Sequence, residues 1–163
     1  MIRELGKDGY HGPVLDLVRL AEHIHGHLGW MSVAVLIHPA IVLWRKPRAD
    51  WAVGLAVAFT TLVGALGVWL YGPYREKIKQ SLFIASPKMG FFFERKEHLA
   101  FGAIALAWVG ALAYFAGRVP SAELAPSMRD SLRQASRTAF TASAALALAA
   151  AVFGTVVATF KSF

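Results

Sequence analysis

Residues 23–44 read HIHGHLGWMSVAVLIHPAIVLW, and the fold of the whole chain turns on how that stretch is interpreted. From Leu28 to Trp44 it holds no Asp, Glu, Lys or Arg. A helix that is apolar all round belongs in a protein core or in a bilayer. Three further runs are equally free of charge: Trp51–Tyr71, Leu99–Gly117 and Thr138–Phe160. Each reaches or approaches the roughly 20 residues needed to cross a ~30 Å hydrocarbon layer, and Ala21–His27 can lengthen the first into the headgroup region. The fold expected is all-α: one integral membrane four-helix bundle over residues 1–163, its spans running up, down, up and down.

Composition agrees. Of 163 residues 56% are hydrophobic and the mean hydropathy is +0.49, above the about 45–50% apolar content of soluble domains. Met1–Gly12 is polar with no adjoining apolar run, so no cleaved leader is expected. The absence of cysteine removes disulfides, iron–sulfur clusters and thiolate ligation. The net charge of +7 sits between the spans, where Lys and Arg meet anionic headgroups, so nucleic acid is not an expected partner.

The joints are short and polar. Arg45–Asp50 contains Pro47; Gly72–Glu97 is long and basic; Arg118–Arg137 holds two prolines. Gly72-Pro73 is expected to break the second span. Tyr74–Ala85 has the charge pattern of a short amphipathic helix lying along the interface, ended by Ser86-Pro87. Phe91-Phe92-Phe93 should dip into the headgroup boundary, and Met128–Arg137 should be the exposed start of the last helix. Trp44, Trp51, Trp69, Tyr71 and Tyr74 bracket the joints, as amphipathic rings do at a lipid boundary, while Trp108 sits mid-span. Ten of the 17 Lys and Arg lie on the side of the termini and the second joint. That favours both termini in the cytoplasm, with a bacterial inner membrane as the location. Gly54/Ala58, Ser143/Ala147/Ala151/Thr155 and Ala150/Gly154 repeat small residues at four-residue spacing, which suits close helix packing within the bundle or between protomers.

The chemistry lies in the histidines. An ionisable residue in or at the lip of a span is costly and suggests a site. On a helix His23, His27 and the deeper His38 share one face, while His25 points the other way with Glu22 and Gly29. Helix 3 offers His98 at the first depth, with Glu94 one turn earlier. Three readings stand. His27 (or His23) and His98 are axial ligands of one b-type haem between helices 1 and 3, its carboxylates met by Arg95, Lys96 and Arg19. Alternatively Glu22, His25, His27, Glu94, Glu97 and His98 supply a carboxylate-rich non-haem metal site, Glu22-x-x-His25 having the spacing of di-iron bundles. Or the imidazoles serve only headgroup contacts. His38 would act structurally, bonding Thr60 or Thr61, or as the single ligand of a second haem.

The segments His25-Gly26-His27-Leu28-Gly29-Trp30 and Glu97-His98-Leu99-Ala100-Phe101-Gly102, opening the first and third spans, resemble the cytochrome b561 type of membrane haem protein. That family implies a four-helix core with histidines near helix starts and a haem at each membrane face. Spans 2 and 4 lack histidine here, so the resemblance implies at most one haem, at the N-terminal face. The expected function is an electron-transfer cytochrome b subunit exchanging electrons with a quinone or a partner redox protein. The alternatives are an accessory subunit anchoring a larger membrane complex, or an enzyme or transporter using the Glu/His metal cluster. No nucleophile–base arrangement, phosphate loop or zinc-protease motif is present.

Overall fold

A computed structural model describes residues 13–46, 48–75, 79–120 and 125–161. Among them are five helices and no strand: α1 (Pro13–Arg45), α2 (Asp50–Tyr74), α3 (Gln80–Ala85), α4 (Pro87–Ala116) and α5 (Pro126–Lys161). All but α3 are long and apolar enough to cross a membrane. Their outward faces carry Leu62 (69% exposed), Leu112 (64%) and Phe101 (62%). Apolar surface on that scale calls for lipid around it rather than water.

The helices extend beyond the charge-free runs. α4 begins at Pro87, twelve residues before Leu99, because Phe91–His98 has no helix breaker and its charges cost little at a lipid boundary. Phe91–Phe93 is therefore helical. Ser86 is extended and Pro87 occupies the first turn of α4, where a missing N–H is harmless. Gly72-Pro73 does not break α2, which runs through Tyr74. A proline in the last turn forfeits one hydrogen bond, and the Arg75 N–H closes the end on Tyr71 and Gly72 carbonyls. Of the expected interfacial segment, Tyr74 ends α2, residues 76–78 lie outside the described residues, and 80–85 form α3.

α4 packs most extensively on α5, then α5 on α1, α1 on α2, and α2 on α4. The four long helices thus form a closed ring in the order α1–α2–α4–α5. α1 and α4 stand at opposite corners.

The two halves of the bundle differ. In the half that holds the α1–α2 joint, Leu36, Val53, Ala56, Ala107 and Phe140 are wholly buried. Here the facing residues of α4 and α5 are small, so the helices meet closely. A Cβ on Gly110 would come 2.9 Å from the Phe140 ring, and the Ser143 hydroxyl donates to the Ala103 carbonyl at 2.7 Å. Such close approach is how helices gain dispersion energy where no hydrophobic effect acts between them. A polar cluster ties this end. Tyr114 Oη accepts from the Ala49 N–H (2.7 Å) and from Arg118 (3.0 Å) and donates to Asp50 (2.5 Å), which also pairs with Arg118. Arg137 donates from Nε to the Leu43 carbonyl at 2.9 Å and lies over the Trp44 ring.

At the other end a smaller cluster of Leu82, Phe93 and Val157 seats α3 against α4 and α5. Phe83 fits over Gly90, where a Cβ would meet its ring at 2.6 Å. Lys79 pairs with Glu94 at 2.9 Å, and that hydrogen bond holds the ammonium above its ordinary pKa. Between this cluster and the solid half the bundle is hollow.

Candidate functional site

The hollow is a cavity of about 790 Å³ walled by all four long helices. Ligand pockets are typically about 300–1,000 Å³, whereas protein interiors seldom leave voids larger than a water. Its walls follow from residue size. Ala100 and Ala103 of α4, Gly64 and Gly67 of α2, and Ala147, Ala150, Ala151 and Gly154 of α5 all line it. None of these side chains reaches far enough to fill the centre. Glu22, His25, Tyr71, Lys96 and Glu97 supply the polar part.

The seams beside it are closed by specific contacts. Trp30 of α1 donates its indole N–H to the Thr155 hydroxyl of α5 at 3.2 Å. Phe92 and Phe153 stack with centroids 5.2 Å apart. Trp108, the mid-span tryptophan, donates to the Thr61 hydroxyl of α2 at 3.1 Å. Ile104 of α4 presses into the notch left by Gly64.

The face of α1 that turns inward is the one carrying His25. Counting back from the buried Leu43, Leu36 and Ser32 in steps of seven and four reaches Gly29 and His25. The His25 imidazole is half-buried and lies against α2, where a Cβ on Gly67 would sit 3.0 Å from Cε1 and 3.3 Å from Nε2. Its Nδ1 is buried with no hydrogen-bond partner. A buried polar atom without a partner costs free energy, so native structures rarely leave one unless something else completes it.

The other anticipated residues fall differently. His23 and His27 also border the cavity, but both are exposed and so belong to its rim. His98 is exposed and is not part of the wall. Its Nδ1–H donates to the Glu94 carbonyl at 2.7 Å. The expected pairing of His27 with His98 across the bundle is not assembled, because His98 lies on the outward side of its helix while His27 stands at the cavity rim. Arg95 is likewise exposed and outside the cavity, and the neighbouring Lys96 takes the inward place. The Arg19 side chain lies outside the described residues.

His38 shares the outward face of α1 and packs on Trp51, ring centroids 4.9 Å apart, in a shallow hollow of about 240 Å³. It does not bond Thr60 or Thr61. Thr60 donates to the Ala56 carbonyl, and Thr61 accepts from Trp108. The carboxylate-rich metal centre is not assembled either: among the described residues no three His, Asp or Glu gather in a way that could hold a metal ion. Glu22, His25 and Glu97 line the cavity, while Glu94 is held by Lys79 and His98 faces away. A haem, which needs only one or two imidazoles, is a separate matter.

Sequence reasoning missed Gly64, Gly67, Tyr71, Ser32 and Thr155 as parts of the site. The small residues of the second and fourth spans read as packing residues, and in the solid half Ser143 of the fourth is one. One sequence signal was available, the run of small or apolar residues at 29, 32, 36, 40 and 43, which marks the inward face and continues back to His25. Comparison with protein-family models, with curated proteins and with solved structures finds no match to this chain.

Proposed function

We propose that this protein is a membrane b-type cytochrome subunit whose cavity would hold one haem, with His25 as the residue that would bind it. One observation carries the reading: a half-open cavity of about 790 Å³ among the four long helices, with the His25 imidazole in its wall. The donor set supports it, since imidazole is the usual haem ligand in helical bundles and no cysteine competes. So does the shape. Gly67 leaves room for the ring edge of His25, and the Ala and Gly walls of α4 and α5 suit a broad apolar group.

The chain's own residues then divide the work. His25 supplies the ligand nitrogen and Gly67 sets where its ring rests. Lys96, whose Nζ lies 4.6 Å from the Phe93 ring centroid, offers a cation to a carboxylate near the mouth. The mostly apolar walls, together with the residue that would bind the haem, would tune its redox potential. A bound haem would supply a one-electron couple. The polar rim on the side of the N-terminal half of α1 is where an electron partner would approach. Both termini are assigned to the cytoplasmic side by the distribution of Lys and Arg. Gly54 and Ala58, which face outward with nothing within 4 Å of a Cβ on Gly54, remain for contact with a helix of another chain.

The test is a dithionite-reduced minus oxidised visible spectrum of detergent-purified protein, with a pyridine haemochrome assay for stoichiometry. The expected result is about one b-type haem per chain, lost in His25→Ala and kept in His98→Ala. Colourless protein from haem-replete cells would sink the proposal and leave an anchoring subunit as the reading. Loss in His98→Ala with retention in His25→Ala would refute the assignment of the ligand.

A further inference from the structure

The outward face of α4 changes character along its length. Lys88, Phe91, Arg95 and His98 follow one another at intervals of three, four and three residues, which places them on one helical face. All four are exposed. Continuing along that face come Phe101 (62% exposed), Val109 (51%) and Leu112 (64%), with no charge among them. From His98 to the end of the helix at Ala116 is 18 residues, about 27 Å at 1.5 Å each. That nearly equals the ~30 Å hydrocarbon thickness. The basic part of the face therefore stands at headgroup depth, directly above a lipid-facing apolar strip.

Charge on this face is one-sided. Glu94, on the flank of the stripe, is paired with Lys79 at 2.9 Å, so its carboxylate is already answered. Glu97 is turned to the cavity on the far side of the helix. Among the described residues, Lys88 and Arg95 thus stand without an opposing carboxylate in their own row. Phe91 lies between them, 58% exposed, with its ring edge-to-face on Phe83 at 5.6 Å. Ile84 of α3, next to Phe83 in sequence, is 78% exposed. Two cations at headgroup level, flanked by aromatic and aliphatic surface and continued by an apolar strip, match the three parts of a phospholipid: anionic phosphate, interfacial glycerol and acyl chain.

We propose that the Lys88–Phe91–Arg95 face of α4 binds an anionic phospholipid, its phosphate on Lys88 and Arg95 and its chains along Phe101 and Leu112. The site is independent of the cavity and of any haem. His98 forms its deep edge, its ring fixed by the hydrogen bond to the Glu94 carbonyl.

The full chain is reconstituted in vesicles of phosphatidylcholine and phosphatidylglycerol at 3:1, extracted in mild detergent, and its retained lipid is measured by native mass spectrometry. The expected result is selective retention of phosphatidylglycerol by the wild type. In K88Q/R95Q the preference falls by about thirtyfold, the scale of two basic residues meeting an anionic surface. The single variants K88Q and R95Q should each fall part of the way, and they serve if the double variant fails to fold. The paired variant K46Q/R48Q, at the opposite end of the bundle, should keep the preference. Equal retention of both lipids by the wild type would overturn the proposal. So would an equal loss in K46Q/R48Q, or displacement of the lipid by millimolar inorganic phosphate.

Discussion

Tyr114→Phe removes a single oxygen from the solid end of the bundle and should cost about 2 kcal/mol of stability. That oxygen makes three hydrogen bonds: it accepts from the Ala49 N–H at 2.7 Å and from Arg118 at 3.0 Å, and donates to Asp50 at 2.5 Å. The three are not equal losses. The side chains of Asp50 and Arg118 are 55% and 34% exposed, so both can rebind water or each other. Ala49 is only 3% exposed, and its N–H has no second acceptor once the hydroxyl is gone. Orphaning a buried backbone donor costs about 1–3 kcal/mol, and that term sets the estimate. A penalty of 2 kcal/mol is about thirtyfold in the unfolding equilibrium, readable by SDS titration in mixed micelles. Asp50→Asn is the control. It weakens a largely solvated ion pair, worth at most about 1 kcal/mol, while leaving the tyrosine in place. A Tyr114→Phe effect below about 0.5 kcal/mol, or a larger effect from Asp50→Asn, would refute the claim that the tyrosine caps the start of α2.

Three further outcomes follow from the same contacts. Ala150→Leu puts a branched side chain into the cavity; it should raise the melting temperature of the haem-free protein, by about 0.5–2 kcal/mol of stability, and abolish the haem spectrum. Unchanged pigment would mean the haem sits elsewhere. Gly67→Ala places a Cβ 3.0 Å from His25 Cε1, so the ring must shift by a few tenths of an ångström; haem affinity should drop about tenfold, as for other changes behind a ligand, with the absorption maximum displaced. Phe140→Ala, at a side chain with 0% exposure, should cost about 3–5 kcal/mol. The loss should be equal with and without haem, measured by paired thermal melts, because Phe140 belongs to the solid half.

What the sequence made legible is what hydropathy controls. Four charge-free runs gave four spans, because a helix facing lipid must be apolar over most of its length, whatever its neighbours are. Helix ends were less visible. Glu94–His98 lowers the hydropathy of the third span without breaking its helix, so α4 starts twelve residues before the apolar run. Rotation was least visible. The periodicity put His23, His27 and His38 on one face of α1 and His25 on the other, yet a helix wheel does not say which side meets the bundle. That depends on which neighbours present small residues. On α1 the side continuing through Ser32 and Leu36 meets α2 and α5, so His25 goes in, His23 and His27 stand at the rim, and His38 looks out.

The solid and hollow halves are built from nearly the same residues, which argues that the cavity is specified rather than left over. In the solid half Ala103, Ala107, Gly110 and Ala111 of α4 face Phe140 and Ser143 of α5. A single aromatic ring fills the room that the small residues leave, and a Cβ on Gly110 would already crowd it. One helical repeat onward, α5 offers Ala147, Ala150, Ala151 and Gly154, and α4 offers Ala100. The rings that α1 and α2 present here, His25, Trp30 and Tyr71, lie in the wall. Phe92 and Phe153 stack on each other at the seam, and Trp30 is held to Thr155. Aromatic side chains are thus present at the right level but are fixed at the edges of the void. A sequence selected only for packing would turn one of them inward, as Phe140 is turned, and gain the dispersion energy. An occupant of the space would return the energy forgone. His25, with its unpartnered Nδ1, is the polar group that such an occupant would complete.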